Sequence, residues 1–121
     1  MKYVRLYPDQ KGETHFADVD LELAENDYRP PAPVLYVSHA FETEAFQFVR
    51  LPAGWVGESI NPPEPQFFIC LKGDIEITTS DGQKRSIGPG DTVKMEDIEG
   101  KGHRTSVKGA DDCIAAIIPL E

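Results

Sequence analysis

The chain of 121 residues is poor in cysteine, tryptophan and positive charge, with 2 Cys, 1 Trp and 12 Lys+Arg against 21 Asp+Glu, for a formal net charge of −9. The two cysteines, Cys70 and Cys113, form no CxxC pair and are too few for a disulfide framework. Each lies in an apolar, strand-like run, 67–71 and 113–118, and is expected to be a small buried hydrophobe rather than a reactive thiol. The shortage of Lys and Arg, with no basic cluster anywhere, excludes phosphate backbones, anionic lipid heads and polyanionic substrates. Neither nucleic acid nor a membrane surface is an expected partner. Long apolar runs are missing too: none approaches the roughly 18–20 residues of a transmembrane helix. The N-terminal MKYVRLYPDQKG has no signal-peptide apolar core, so a cytoplasmic location is expected.

Helical periodicity is scarce as well. Few windows place apolar residues at i, i+3, i+4 and i+7, while 10 Gly and 10 Pro punctuate the whole chain. What is there is β-pattern. Expected strands are 3–7, 14–18, 34–39, 45–51, 66–71, 74–79, 83–87, 91–96, 102–107 and 112–118, separated by turns at 52–54, 72–74, 80–82 and 88–91. A short helical turn is expected around 22–27, and the proline cluster from Arg29 to Pro33 reads as an extended connector.

Alternation assigns faces to these strands. Ile75, Ile77 and Thr79 share one face of 74–79, and Asp74, Glu76 and Thr78 share the other, wet one. In 102–107, His103, Thr105 and Val107 share one face and Arg104, Ser106 and Lys108 the opposite, solvent-seeking one, so His103 is expected to point inward and Ser106 to face water. The run 66–71 is apolar on both faces, with Phe67, Ile69 and Leu71 backed by Phe68 and Cys70. Its outer face needs a cover, either another element or another subunit, and a homodimer is the expected assembly.

Two stretches have motif-like spacing. In the first, Gly54 and Trp55 are followed by Gln66 and, after six further residues, by Gly73. In the second, the run from Gly90 to Glu96 is followed by Gly100, Lys101, Gly102 and His103. Together they resemble the two motifs of the cupin superfamily, G-x5-H-x-H-x3,4-E-x6-G and G-x5-P-x-G-x2-H. Gln66 stands at the glutamate position and Glu96 at the proline position. The two histidine positions of the first motif fall on Ser59 and Asn61 or on Ile60 and Pro62. The resemblance implies an all-β, single-domain jelly-roll β-barrel (a double-stranded β-helix) spanning 1–121. Its core would lie at about 34–118, with the strands of 1–33 packing on it or on a partner subunit.

In the family, three histidines and a glutamate hold a divalent transition metal inside the barrel, and here only His103 of the four remains. Asn61 and Gln66 can offer amide oxygens, which are weak ligands for such an ion, so no cofactor is expected. The alternative is a metal held by His103, Gln66 and Asn61, or a shell rebuilt with His15, His39 or a glutamate. His15 and His39 read as structural strand residues, Glu58 and Glu64 flank the first motif, and Glu96, Asp97 and Glu99 form an acidic loop expected to face water. What remains is a small-molecule pocket of Asn61, Gln66 and His103, with aromatic walls drawn from Trp55, Phe46, Phe48 and Phe68.

Such a pocket suits a metal-independent or weakly metal-dependent isomerase, cyclase or lyase with His103 as acid and base. A binding or sensing module without chemistry is the alternative, and a metal cupin with rebuilt ligands is the second.

Overall fold

Residues 1–27 and 29–121 are described by a computed structural model of the chain. They form twelve strands and no helix: β1 Lys2–Pro8, β2 Thr14–Asp20, β3 Ala24–Asn26, β4 Leu35–Val37, β5 Gln47–Leu51, β6 Val56–Ile60, β7 Gln66–Lys72, β8 Asp74–Thr79, β9 Lys84–Ile87, β10 Thr92–Met95, β11 His103–Lys108 and β12 Cys113–Pro119. No helix among the described residues is long and apolar enough to cross a membrane.

Ten of the strands make two sheets, one ordered β2-β1-β10-β7-β12-β5 and the other β6-β11-β8-β9. Their facing sides bury one core, in which Leu6, Val93, Cys70, Cys113 and Ala115 of the larger sheet meet Ile75, Ile77, Ile87 and Val107 of the smaller. The alternation read from the sequence accounts for this directly: Ile75 and Ile77 are fully buried, and Asp74 on the opposite face is exposed. The result is a jelly-roll sandwich with an all-β topology.

The N-terminal strands are full members of the larger sheet. β1 pairs in parallel with β10, through Val4 and Val93, and antiparallel with β2 along its whole length. Three local expectations are corrected. The segment 24–26 is a strand, because Ala24, Glu25 and Asn26 pair with Val37, Tyr36 and Leu35. The run 56–60, Val-Gly-Glu-Ser-Ile, with no apolar alternation, is also a strand. Its Gly57 packs beneath two side chains, since a Cβ there would meet the tips of Ile60 and Trp55, at 2.4 Å from Cδ1 and 2.5 Å from Cη2, and displace them. Ser106 is buried rather than solvated, because β11 is a central strand and Ser106 is flanked by Val56 and Glu76.

The outer face of β7 is covered from within the chain at one end only. Phe67 takes edge contacts from Tyr3 at 5.5 Å and Phe41 at 4.9 Å, whereas Leu71 at the other end stays 49% exposed. Cys70 and Cys113 lie together in the core as free thiols, and burial pushes Cys113 up to about 12. That burial makes both thiols inert packing groups.

Candidate functional site

β11 begins at His103, and its placement follows from the loop before it. Gly102 has φ +71°, and a Cβ there would sit 2.4 Å from the carbonyl oxygen of Ile60, so only glycine lets this loop press against β6. The turn between β1 and β2 holds the same loop from the other side. Lys101 N–H donates to Gly12 O at 2.9 Å, and Thr14 Oγ1 donates to Gly102 O at 2.8 Å. With its backbone fixed by these neighbours, the His103 side chain is directed into the interior, where the residue is 3% exposed.

Inside, His103 Nδ1 lies 2.6 Å from Asp97 Oδ2, and Asp97 is fully buried. A carboxylate accepts only, so Nδ1 carries the proton of this bond, the tautomer that in an uncharged imidazole leaves the lone pair on Nε2. Among the described residues the His103 ring makes its hydrogen bond through Nδ1 alone. Asp97 is anchored in turn at its backbone, where Asn61 Nδ2 donates to Asp97 O at 2.9 Å, while its Oδ1 has no partner. A carboxylate orienting an imidazole whose other nitrogen remains free is the arrangement that makes histidine a directed base or acceptor.

Beside His103 lies a cavity of about 110 Å³ whose walls are Val49, Leu51, Trp55, Ile60, Phe68 and Ile117, with Gln66, Met95 and Thr105 as further polar or polarisable lining. At about 30 Å³ per liquid water this is room for three or four waters or a compact organic group of about five or six non-hydrogen atoms. The lining is mostly apolar with a few converging polar atoms, as small-molecule sites are.

The residues singled out from the sequence fall into two groups. His103, Gln66, Trp55 and Phe68 line this cavity. Phe48 and Phe46 do not: they are 70% and 56% exposed, because Val49 and Leu51 take the inward positions of β5 and alternation sends their neighbours outward. Asn61 is exposed and serves as a brace for Asp97 rather than as a wall.

Asp97 is the residue that sequence reasoning missed, having been read as part of a solvated acidic loop. The signal was available. Val93 and Met95 are buried, and continuing that alternation by one step puts Asp97 on the same inward face. Glu96, its neighbour, also leaves the water, in a part-buried ion pair with Arg5.

His15 and His39 stay outside the cavity. His39 packs against Phe41 at 4.3 Å. Both nitrogens of His15 are occupied by carboxylates, Nδ1 by Asp81 Oδ2 and Nε2 by Asp9 Oδ2, each at 2.8 Å. The hydrogen bond with Asp9, then that with Asp81, holds the His15 imidazole above its usual range.

The donor set does not fit a tightly held transition metal. At the cavity it amounts to one imidazole nitrogen and the Gln66 amide, whose nitrogen already reaches Met95 Sδ at 3.7 Å. Among the described residues no group of three or more His, Cys, Asp or Glu is arranged to hold such an ion.

Two facing sheets in this order, with a histidine turned into the space between them, define a jelly-roll of cupin type. The Schizosaccharomyces pombe Cnp3 cupin domain aligns with 99% of this chain and 88% of its own, at a TM-score of 0.51 and 13% sequence identity. Protein NMB1881 from Neisseria meningitidis aligns with 63% of this chain and 72% of its own, at a TM-score of 0.46 and 17% identity. No family model matches the sequence, and no curated protein matches it. The likeness is one of architecture, and by it the chain has the cupin fold.

Proposed function

We propose that the chain is a small-molecule-binding cupin whose ligand occupies the cavity beside His103, and that His103 exchanges a proton with it without a metal. The observation that carries this is the buried Asp97–His103 pair. Its carboxylate fixes the ring at 2.6 Å on Nδ1, and His103 lines a mostly apolar space. An imidazole so oriented supports isomerisation, cyclisation or elimination on a compact, weakly polar substrate. Gln66 and Thr105 supply hydrogen bonds that set its orientation.

The size of the cavity favours a second reading, binding without turnover. A space of about 110 Å³ is smaller than the roughly 300 Å³ at which drug-sized ligand pockets begin, and it admits a small group more readily than a whole metabolite.

A thermal-shift panel of compounds of about five to eight non-hydrogen atoms tests both. A true ligand at 100 times its Kd adds about 2.7 kcal/mol to the wild type and much less to His103→Ala. Asp97→Asn then separates the readings. It presents an N–H to Nδ1 and selects the other tautomer, so turnover should fall by orders of magnitude while binding of an apolar ligand persists. Stabilisation that is the same in His103→Ala as in the wild type would refute the site itself.

A further inference from the structure

The turn between β1 and β2 lies against the loop that ends at His103, and one titratable side chain fastens that turn. His15, the second residue of β2, bridges Asp81 Oδ2 on Nδ1 and Asp9 Oδ2 on Nε2, each at 2.8 Å. From this bridge two chains of contacts run to His103. The first passes through Thr14, the neighbour of His15, whose Oγ1 donates at 2.8 Å to the carbonyl of Gly102, one residue before His103. The second passes through Asp81, whose Oδ1 accepts from Thr79 Oγ1, and Thr79 is the residue paired with His103 between β8 and β11. Ser80 ties the two chains together, its Oγ accepting from Thr14 N–H at 2.7 Å. Beside them the turn meets the loop backbone to backbone. A Cβ on Gly100 would lie 2.6 Å from Gly12 O, and the same oxygen accepts from Lys101 N–H at 2.9 Å.

We propose that His15 is a positioning residue for His103: as an imidazolium it holds the β1–β2 turn against the loop, and on losing its proton it releases that loop and loosens the cavity site. The reason is stereochemical. An imidazolium donates from both nitrogens, whereas a neutral ring donates from one and turns a lone pair toward the other carboxylate at 2.8 Å. One aspartate then has to leave. Asp81 is retained by Thr79 and by Gln83 N–H at 3.1 Å, and its side chain is 16% exposed; Asp9, at 36%, is the one free to swing out. Asp9 Oδ1 also accepts from Lys11 N–H at 2.8 Å and Glu13 N–H at 3.0 Å, so its displacement unfastens the turn itself.

The groups around His15 favour charge on the ring. Asp9 and Asp81 face it directly, and Tyr7 lies across from it on β1 with ring centroids 5.7 Å apart. The nearby cations are engaged elsewhere: Lys101 is paired with Glu13 at 2.6 Å, and Arg5, over the Tyr7 ring, is paired with Glu96. The bonds to Asp9 and then Asp81 raise the imidazole above 6.5, so the loop is held in mildly acid solution and loosens as pH rises through that raised value. The consequence for a ligand rests on the cavity being its site, whereas the coupling of His15 to the loop does not.

Hydrogen exchange of the Lys101 amide, divided by the intrinsic rate at each pH, tests the coupling without a ligand. In the wild type its protection is expected to fall about two- to five-fold between about pH 6 and about pH 9, with the midpoint at which the His15 ring titrates in its nitrogen spectrum. His15→Gln, neutral throughout, is expected to show the lower protection with no step. His15→Arg, whose charged planar fork can donate to both carboxylates, is expected to restore the higher protection, again with no step. For a compound that raises the melting temperature, affinity should fall with the same midpoint in the wild type and stay constant in His15→Arg. The proposal is overturned by Lys101 protection in His15→Gln equal to that of the wild type at about pH 6, by a step that persists in His15→Arg, or by wild-type affinity that stays constant while Lys101 protection falls. If no compound binds, the cavity reading fails, and the exchange step still decides the coupling.

Discussion

Two clusters of histidine and aspartate occupy this molecule, and they use the same groups to opposite ends. In the interior, His103 gives one ring nitrogen to Asp97, forms no second side-chain hydrogen bond among the described residues, and lines a cavity. At the surface, His15 gives both nitrogens away, to Asp9 after β1 and to Asp81 in the β8–β9 turn. Two carboxylates can both accept only if both nitrogens carry protons, so the surface cluster is a clamp around an imidazolium with nothing left to offer a ligand. The comparison teaches that reactivity here depends on which ring nitrogen is left unpaired and on what it faces. It also separates two energetic regimes: a buried pair is costly to break, while exposed ion pairs contribute little and are screened.

The largest effect that sharpens this contrast is expected from Asp97→Ala. It strands a buried imidazole and removes the hydrogen bond to Nδ1, so the stability should fall by about 3 kcal/mol, read as a lower urea midpoint at unchanged slope. Asp9→Ala, measured in the same way, should cost several-fold less. Equal losses would erase the distinction between the two clusters.

A smaller effect is expected from pH. The partnership with Asp9 and then Asp81 raises His15 above its usual 6.5, and the bond to His15 lowers Asp9 below its usual 3.8. A raised histidine stabilises fully below its unfolded value and loses that contribution as pH rises through the folded one. A lowered aspartate stabilises above its unfolded value and loses its contribution as pH falls through the folded one. The melting difference between wild type and His15→Ala should therefore be widest from about pH 4 to 6.5 and narrow on both sides. A difference that stays unchanged well below about pH 4 and well above about pH 6.5 would contradict the imidazolium clamp.

The smallest effect is expected from salt. At 1 M the screening length is about 3 Å, so the stability difference due to His15→Ala should shrink while that due to Asp97→Ala holds. If both shrink together, Asp97 is reached by solvent.

Much of the frame was legible in the sequence, because alternation is a local property. Ile75 and Ile77 declared the inner face of β8, and His103 shared a face with Thr105 and Val107, all three of which are buried. The strand at 56–60 was illegible, since its Gly57 answers to the bulk of Trp55 and Ile60, a contact no short window shows. Asp97 was hidden by its neighbours: among Glu96, Ile98 and Glu99, charge suggested water, while the phase carried over from Val93 and Met95 pointed inward. Phe48 erred the other way, an aromatic assumed to face in where Val49 does instead.

The direct test of the central claim is the two-bond proton–nitrogen spectrum of the His103 imidazole, recorded alone and with the small compounds that shift melting. The account predicts an Nδ1–H tautomer in the free protein and a large displacement of the Nε2 resonance on ligand addition, with Nδ1 little moved. An Nε2–H tautomer, or ligands that stabilise the protein while leaving Nε2 unmoved, would contradict it.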